Sequence, residues 1–404
     1  MKNKLISLAK ALQPARLTGL ATFLLKDEAI SGKLIILAVI LALIATNTAL
    51  KATYEALWQT DLSIGLGQWS LSLDLRHWVN DGLMAIFFLV VGLELKRELI
   101  TGELRRFKTA ILPFAAALGG MAVPALIYIS LNAGGAGFDG WAIPMATDIA
   151  IVIGLLALLG KRIPSSIRLF LLTLAIVDDI AAVIVIALFY GTGINVTTLL
   201  LVFALVATTV LLKKKKLLTL PGFIVIGVTL WFLVNASGIH PSIAGALLGL
   251  LAPLTVPAKH KKSIAERLER FTIPLSTLII VPLFAFANAG IVLSFSSLQT
   301  ESAWPVAAGI ILGLVVGKVV GIVGAAWLMV KMGVSALPTN SNWGHIIGVG
   351  LLAGIGFTVS IFVTDLSFDQ EQLIAVAKLS IFAASILSGL LGLAVLRFIV
   401  KDRA

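Results

Sequence analysis

Residues 169–190 read LFLLTLAIVDDIAAVIVIALFY, between Arg168 and Gly191. Apart from Thr173 and the terminal Tyr190, the only polar side chains in this run are the adjacent Asp178 and Asp179, near its midpoint. A stretch of this length crosses a bilayer, which takes about 20 residues. A charged side chain at mid-depth costs roughly 2.5–3.5 kcal/mol on insertion scales, and here two stand side by side. No structural requirement of a membrane helix asks for them, so they mark a functional site.

The surrounding composition supports this setting. Of 404 residues, 59% are hydrophobic and 13% charged, against about 25% charged in soluble domains. The chain therefore reads as one polytopic, all-α membrane domain over residues 1–404. It has no cysteine, which removes disulfides, thiolate metal sites and cysteine nucleophiles. Its four scattered histidines do not make a zinc set. No cofactor is called for.

Working outward, twelve spanning segments are expected near 34–50, 82–95, 109–131, 141–159, 167–190, 196–212, 217–235, 241–256, 273–290, 304–330, 343–364 and 372–396. Residues 1–33 carry six basic residues, with Leu5, Leu8 and Leu12 at helical spacing. They predict a short cytoplasmic helix on the membrane surface. A cleaved signal peptide is not expected, because the apolar run that follows is of full spanning length. Outside the spans every lysine and arginine except Lys51 and Arg76 falls on one side, while Lys318 and Lys378 lie within spans. The positive-inside rule then puts both termini in the cytoplasm. The net charge of +11 is thus a topology signal, and a nucleic-acid partner drops out. Between the first two spans, Ser63–Leu75 alternates polar and apolar residues with glycines at 65 and 67, which predicts an outer β-hairpin. A lone hairpin is marginally stable, so pairing across a homodimer is expected.

Three further places carry buried polarity. Asp148 lies in GWAIPMATDIAIVIG, four residues after Pro144 and next to Thr147. A proline frees backbone groups, and such breaks persist at membrane depth only where they line a cavity or pack on protein. A hydroxyl, a carboxylate and freed carbonyls make an oxygen-rich site suited to a hard cation. Lys318 is the only charge from Ser302 to Val330 and follows a ladder of glycines at 309, 313 and 317, continued at 321. A buried lysine calls for a buried carboxylate. Neighbouring aspartates on a helix point about 100° apart, so one can face the lysine and the other a cavity. The eleventh span, GHIIGVGLLAGIGFTVSIF, is interrupted by Gly348, Gly350, Gly354 and Gly356. Broken helices in corresponding places of two halves point to a transport site at an inverted-repeat interface, here about 109–190 and 304–396. Asp81 and Lys378, nearer span ends, are expected to snorkel.

On these residues the chain resembles the NhaA family of bacterial sodium/proton antiporters. The matching stretches are VNDGLMAIFFLVVGLELKREL (79–99), ATDIA (146–150), LTLAIVDDIAAVIVIALFY (172–190), PLFAFANAGI (282–291), GLVVGKVVGI (313–322) and GIGFTVSIF (354–362). The resemblance implies twelve helices with spans four and eleven unwound and crossing near the midplane, and a homodimer joined by the hairpin. It implies that Asp179 is the principal carboxylate for the transported cation, with Thr147 in the same site as its second ligand. Asp178 would pair with Lys318, and Asp148 would compensate the facing half-helix ends. Glu94 would line the cytoplasmic funnel. Arg97, Glu98 and Glu269 would belong to a cytoplasmic pH-responsive region, with His240 near the opposite face. One stretch departs from the family: before span nine the chain reads AERLERFTI, with only His260 nearby, which leaves the pH range of activation open.

Residues and resemblance converge on an electrogenic antiporter of the bacterial inner membrane, with Na⁺, Li⁺, H⁺ and lipid as partners and pH and sodium homeostasis as its service. A carboxylate out of water holds a proton readily, and one that takes either H⁺ or Na⁺ couples opposite fluxes by competition. The alternatives are a sodium-coupled solute symporter of similar architecture and an intramembrane aspartyl protease. The protease needs two carboxylates on different helices sharing a proton, typically with a glycine-x-glycine-aspartate signature, and no such tetrapeptide occurs here. A passive channel suits paired, buried titratable groups poorly.

Overall fold

Apolar runs in lipid must satisfy every backbone donor and acceptor internally, and in this chain they do so almost entirely as helix. The structure, a computed structural model, describes residues 30–66, 69–105, 107–160, 163–191, 193–255, 262–292 and 303–401. The expected surface helix at the N-terminus, including Leu5, Leu8 and Leu12, lies outside the described residues, as does His260. The helices are α1 Ile30–Thr46, α2 Lys51–Trp58, α3 Met84–Ile100, α4 Phe107–Asn132, α5 Ile149–Leu158, α6 Ser165–Phe189, α7 Val196–Lys214 and α8 Leu220–Ala236. They continue as α9 Ser242–Leu251, α10 Ile264–Leu275, α11 Val281–Asn288, α12 Ala303–Leu312, α13 Lys318–Lys331, α14 Trp343–Ala353, α15 Phe357–Ser367 and α16 Glu371–Lys401. Among the described residues, seven helical runs are long and apolar enough to cross a membrane, and two bent pairs bring the number up to nine. The shorter α8 and α9 are also apolar. The molecule is an integral membrane protein with a small two-stranded sheet.

The sheet pairs β1 Asp61–Leu66 with β2 Trp69–Asp74, antiparallel, with Asp61 opposite Asp74 and Ser63 opposite Ser72. It begins two residues before the expected hairpin and ends one earlier. The far end is set by Asp74, whose carboxylate accepts from the His77 N–H at 2.7 Å and turns the chain into helix. Trp78 Nε1 donates to the Leu62 carbonyl at 2.9 Å and ties the hairpin to the helix that follows.

Span nine also starts earlier than its hydropathy suggested. Ser263 and Glu266 form a reciprocal capping box, which satisfies orphan donors at a helix N-terminus, so α10 begins at Ile264 as an amphipathic turn before the apolar part. A turn of π-helix, Ser276–Ile280, then links α10 to α11.

Spans four and eleven are broken. Phe138–Met145 is 3-10 helix containing Pro144, residues 146–148 are extended, and α5 resumes at Ile149. In the eleventh, α14 ends at Ala353 and α15 starts at Phe357, with a 45° bend between them. Gly356 sits in this break because a Cβ there would press on Ser360 Oγ and lie 3.1 Å from the Ala146 carbonyl. The tenth span contains a π-helical turn, Gly313–Gly317, directly before Lys318, a distortion often found at functional sites. There α13 packs on α4 so closely that a Cβ on Gly321 would collide with the Gly119 carbonyl.

Candidate cation-binding site

The two breaks meet, and each satisfies backbone groups that the other has freed. The Asp148 N–H donates to the Ile355 carbonyl at 2.6 Å. Thr147 Oγ1 lies 2.8 Å from the Ala353 carbonyl, and Ser360 Oγ donates to the Ile143 carbonyl at 2.7 Å. These three bonds hold the broken part of span four across the break in span eleven.

Asp148 is buried at this crossing and caps two helices. Its Oδ1 accepts from the Ile151 N–H at 3.1 Å, at the start of α5. Its Oδ2 accepts from the Thr358 N–H at 3.1 Å and the Thr358 hydroxyl at 2.6 Å, at the start of α15. Two helix N-termini, each the positive end of a macrodipole, therefore share one carboxylate.

The adjacent aspartates of α6 have different surroundings. Asp178 faces Lys318, whose Nζ lies 2.5 Å from Asp178 Oδ2 with both side chains excluded from solvent. The same oxygen is 2.6 Å from Thr147 Oγ1. Asp179 instead lines a cavity of about 220 Å³, together with Glu94, Thr147, Asp148, Ser276 and Thr358. Thr147 thus borders the Asp179 cavity, but its hydroxyl is engaged by Asp178 and Ala353 rather than by Asp179. That arrangement gives Asp178 a fixed cationic partner and places Asp179 on the wall of the larger cavity.

The other candidate residues spread toward the two ends of the molecule. Glu94 on α3 joins the cavity lining. Arg97 and Glu269 form a partly exposed ion pair at 3.8 Å, linking α3 to α10 outside the cavity. Glu98, one turn after Glu94, sits beside Gly102 at the C-terminal end of α3. His240 lies before α9, with Nε2 3.4 Å from Asp81 Oδ1 and its ring edge-on to Phe362 at 5.2 Å. Gly354 and Gly356 flank the break between α14 and α15. Among the described residues, no group of three His, Cys, Asp or Glu side chains converges as a metal set.

Two expectations need correction. Lys378 does not snorkel: it pairs with Asp365 at 2.7 Å, α16 against α15. Asp81 likewise pairs with His240 rather than reaching for solvent alone. Asp365 lies on the preceding helix and His240 far along the chain from Asp81, so position within a span was a poor guide. Thr358 was also missed, although it supplies two of the bonds to Asp148; a lone threonine in an apolar helix usually bonds its own i−4 carbonyl, so only the nearby glycines hinted at it. Lys96 was read as a topology charge, yet its ammonium is buried and donates to the Leu250 and Ala252 carbonyls at the C-terminal end of α9.

Comparison with known proteins agrees over nearly the whole chain. The family described as Na+/H+ antiporter 1 matches residues 22–396. The Na(+)/H(+) antiporter NhaA 2 of Clostridium beijerinckii is 44% identical over 378 residues, 93% of this chain and 94% of its own length. The Na(+)/H(+) antiporter NhaA of Pseudomonas fluorescens is 43% identical, covering 91% of this chain and 93% of its own. That of Helicobacter pylori is 40% identical, with 94% and 95% covered.

Proposed function

We propose, from the fact that this chain belongs to the Na+/H+ antiporter 1 family, that it expels Na⁺ or Li⁺ from the bacterial cytoplasm in exchange for external protons. The family consists of secondary transporters, not enzymes. The working setting is the inner membrane, crossed twelve times as two inverted repeats with both termini cytoplasmic, as the basic residues indicate. The proposed unit is a homodimer joined through β1 and β2, needing no cofactor and serving pH and sodium homeostasis.

The observation that carries this reading is the split of the aspartate pair. Asp179 lines a cavity with Glu94 nearer the Arg97–Glu269 end, while Asp178 is bonded to Lys318. In the proposed cycle a cation enters past Glu94 and displaces a proton from Asp179. The Asp179 carboxylate and neighbouring oxygens, including Thr147, take the place of its water shell. Asp148 keeps the two half-helix ends neutralised, so that the crossing moves as a unit and opens to the other face. A second proton, carried by Asp178 or Lys318 when their bond opens, makes the exchange electrogenic. Arg97, Glu98 and Glu269 link α3 and α10 at the mouth and set the pH response, with His240 contributing from the other end. A shared-proton protease dyad has little support here, because Asp178 and Asp179 line separate cavities.

The test uses everted membrane vesicles carrying a preformed pH gradient. Adding Na⁺ or Li⁺ should collapse it, and Asp179→Asn should remove at least ~99% of that response, consistent with loss of a charge used directly in the transport step. Unchanged activity in Asp179→Asn would remove Asp179 from the site.

A further inference from the structure

The cavity at Asp179 has two ends, and its walls mark which is which. Arg97 on α3 and Glu269 on α10 pair just beyond the inner end, the cytoplasmic side in the proposed topology. Away from that pair, α3 lines the cavity with Glu94, then Val91 and Phe87, and α11 lines it with Val281. On α15 the lining residues are Thr358 and Val359.

At the outer limit of this wall each of the three helices carries a buried phenylalanine. Phe88 touches the lining residue Phe87 edge-on at 5.2 Å and lies one turn outward of Val91. Phe284 stands one turn after Val281, and Phe362 one turn after Val359. The three rings meet. The centroid of Phe362 is 5.7 Å from that of Phe88 and 6.0 Å from that of Phe284, both within the range of aromatic contact. His240 closes a further side, edge-on to Phe362 at 5.2 Å. Its imidazole is held in place, with Nδ1 2.8 Å from Ser242 Oγ and Nε2 3.4 Å from Asp81 Oδ1. One turn outward of Phe284, the Asn288 amide donates to Asn80 Oδ1 at 2.8 Å, so polar side chains resume past the rings.

We infer that Phe362, seated between Phe88, Phe284 and His240, is the outer gate of the cation cavity. It keeps the cavity shut to the outside while the cation enters past Glu94, and it leaves this aromatic box before the cation is released. The inference rests on the antiport reading above. An ion among aromatic rings finds no oxygen to replace its water, and an apolar constriction holds ions back by staying dry. Phe362 belongs to α15, one half of the broken span eleven, whereas Phe88, Phe284 and His240 lie on elements outside the crossing. A shift of the crossing therefore withdraws the ring as it presents Asp179 to the outside, and the cavity opens to one side at a time.

The test reads coupling, because a merely structural residue would change the rate alone. In proteoliposomes with the membrane potential clamped by K⁺ and valinomycin, an opposing pH gradient is found that halts net ²²Na⁺ flux through the unaltered protein. At that gradient Phe362→Ala should still pass ²²Na⁺ at about a tenth or more of its unopposed rate, since a cavity open at both ends leaks. Flux that halts at the same gradient as in the unaltered protein, whatever its rate, overturns the assignment. If the variant does not fold or carries no Na⁺, the protein with its rings intact decides. The chain has no cysteine, so a single introduced thiol reports access without background. In right-side-out vesicles free of Na⁺, a charged, membrane-impermeant thiol reagent added outside should label Asn80→Cys at least about tenfold faster than Val281→Cys, because the rings lie between them. Comparable or reversed rates overturn the gate. No Na⁺-dependent proton movement at all in the unaltered protein would instead overturn the antiport reading beneath it.

Discussion

Asp178 and Asp179 are adjacent in sequence, yet they line different cavities. Asp179 lines a cavity of about 220 Å³ with other acids and hydroxyls. Asp178 lines one of about 10 Å³ with apolar walls, and its charge is answered by a fully buried lysine. The helix makes this possible, because successive side chains diverge by about 100° and reach different faces of α6. The lesson is that a pair of like charges in a membrane helix need not be one acidic site. One member can hold a buried lysine while the other lines a cavity.

That contrast predicts unequal damage. Lys318→Ala leaves Asp178 buried without its counter-charge, which costs about 3–5 kcal/mol for breaking a buried pair. It should lower the thermal unfolding midpoint in detergent far more than Asp179→Asn, which breaks no such pair. Equal midpoints for the two variants would mean that the Lys318 bond contributes little to the folded state.

The crossing of the two broken spans comes next. Thr358→Val keeps the shape but removes the hydroxyl that donates to Asp148 at 2.6 Å, and leaving that buried acceptor short costs about 1–3 kcal/mol. The variant should unfold at lower temperature and give faster amide exchange at the start of α15. Unchanged exchange there would show that the N–H bonds to Asp148 suffice. The smallest effect belongs to the mouth. Arg97→Ala opens a half-exposed ion pair at 3.8 Å, worth about 0–1 kcal/mol. Its midpoint should stay near that of the unaltered protein, while the pH profile of exchange moves. A large loss of stability would place Arg97 in the structural core instead.

Much of this arrangement was legible in the sequence, and the parts that were not share a cause. Helices, the acidic pair, the lone lysine and the glycine- and proline-broken spans declare themselves through hydropathy and residue type, which are local properties. The hairpin was also visible, though two residues late, because the alternation begins to read clearly only at Ser63 while pairing already starts at Asp61. The start of α10 was available in Ser263-x-x-Glu266, a capping signal that hydropathy alone passes over. Which partner a buried group takes is a long-range property. Nothing local told that Lys378 meets Asp365, that Thr358 meets Asp148, or that the Thr147 hydroxyl is held by Asp178 on one side and the Ala353 carbonyl on the other.

The central claim is that the two neighbours hold different jobs, and ²²Na⁺ binding to purified protein at alkaline pH tests it most directly. Asp179→Asn should abolish binding, whereas Asp178→Asn should still bind Na⁺, with an affinity within about tenfold of the unaltered protein, a difference of about 1.4 kcal/mol or less. Equal loss in both variants, or loss confined to Asp178→Asn, would contradict the account.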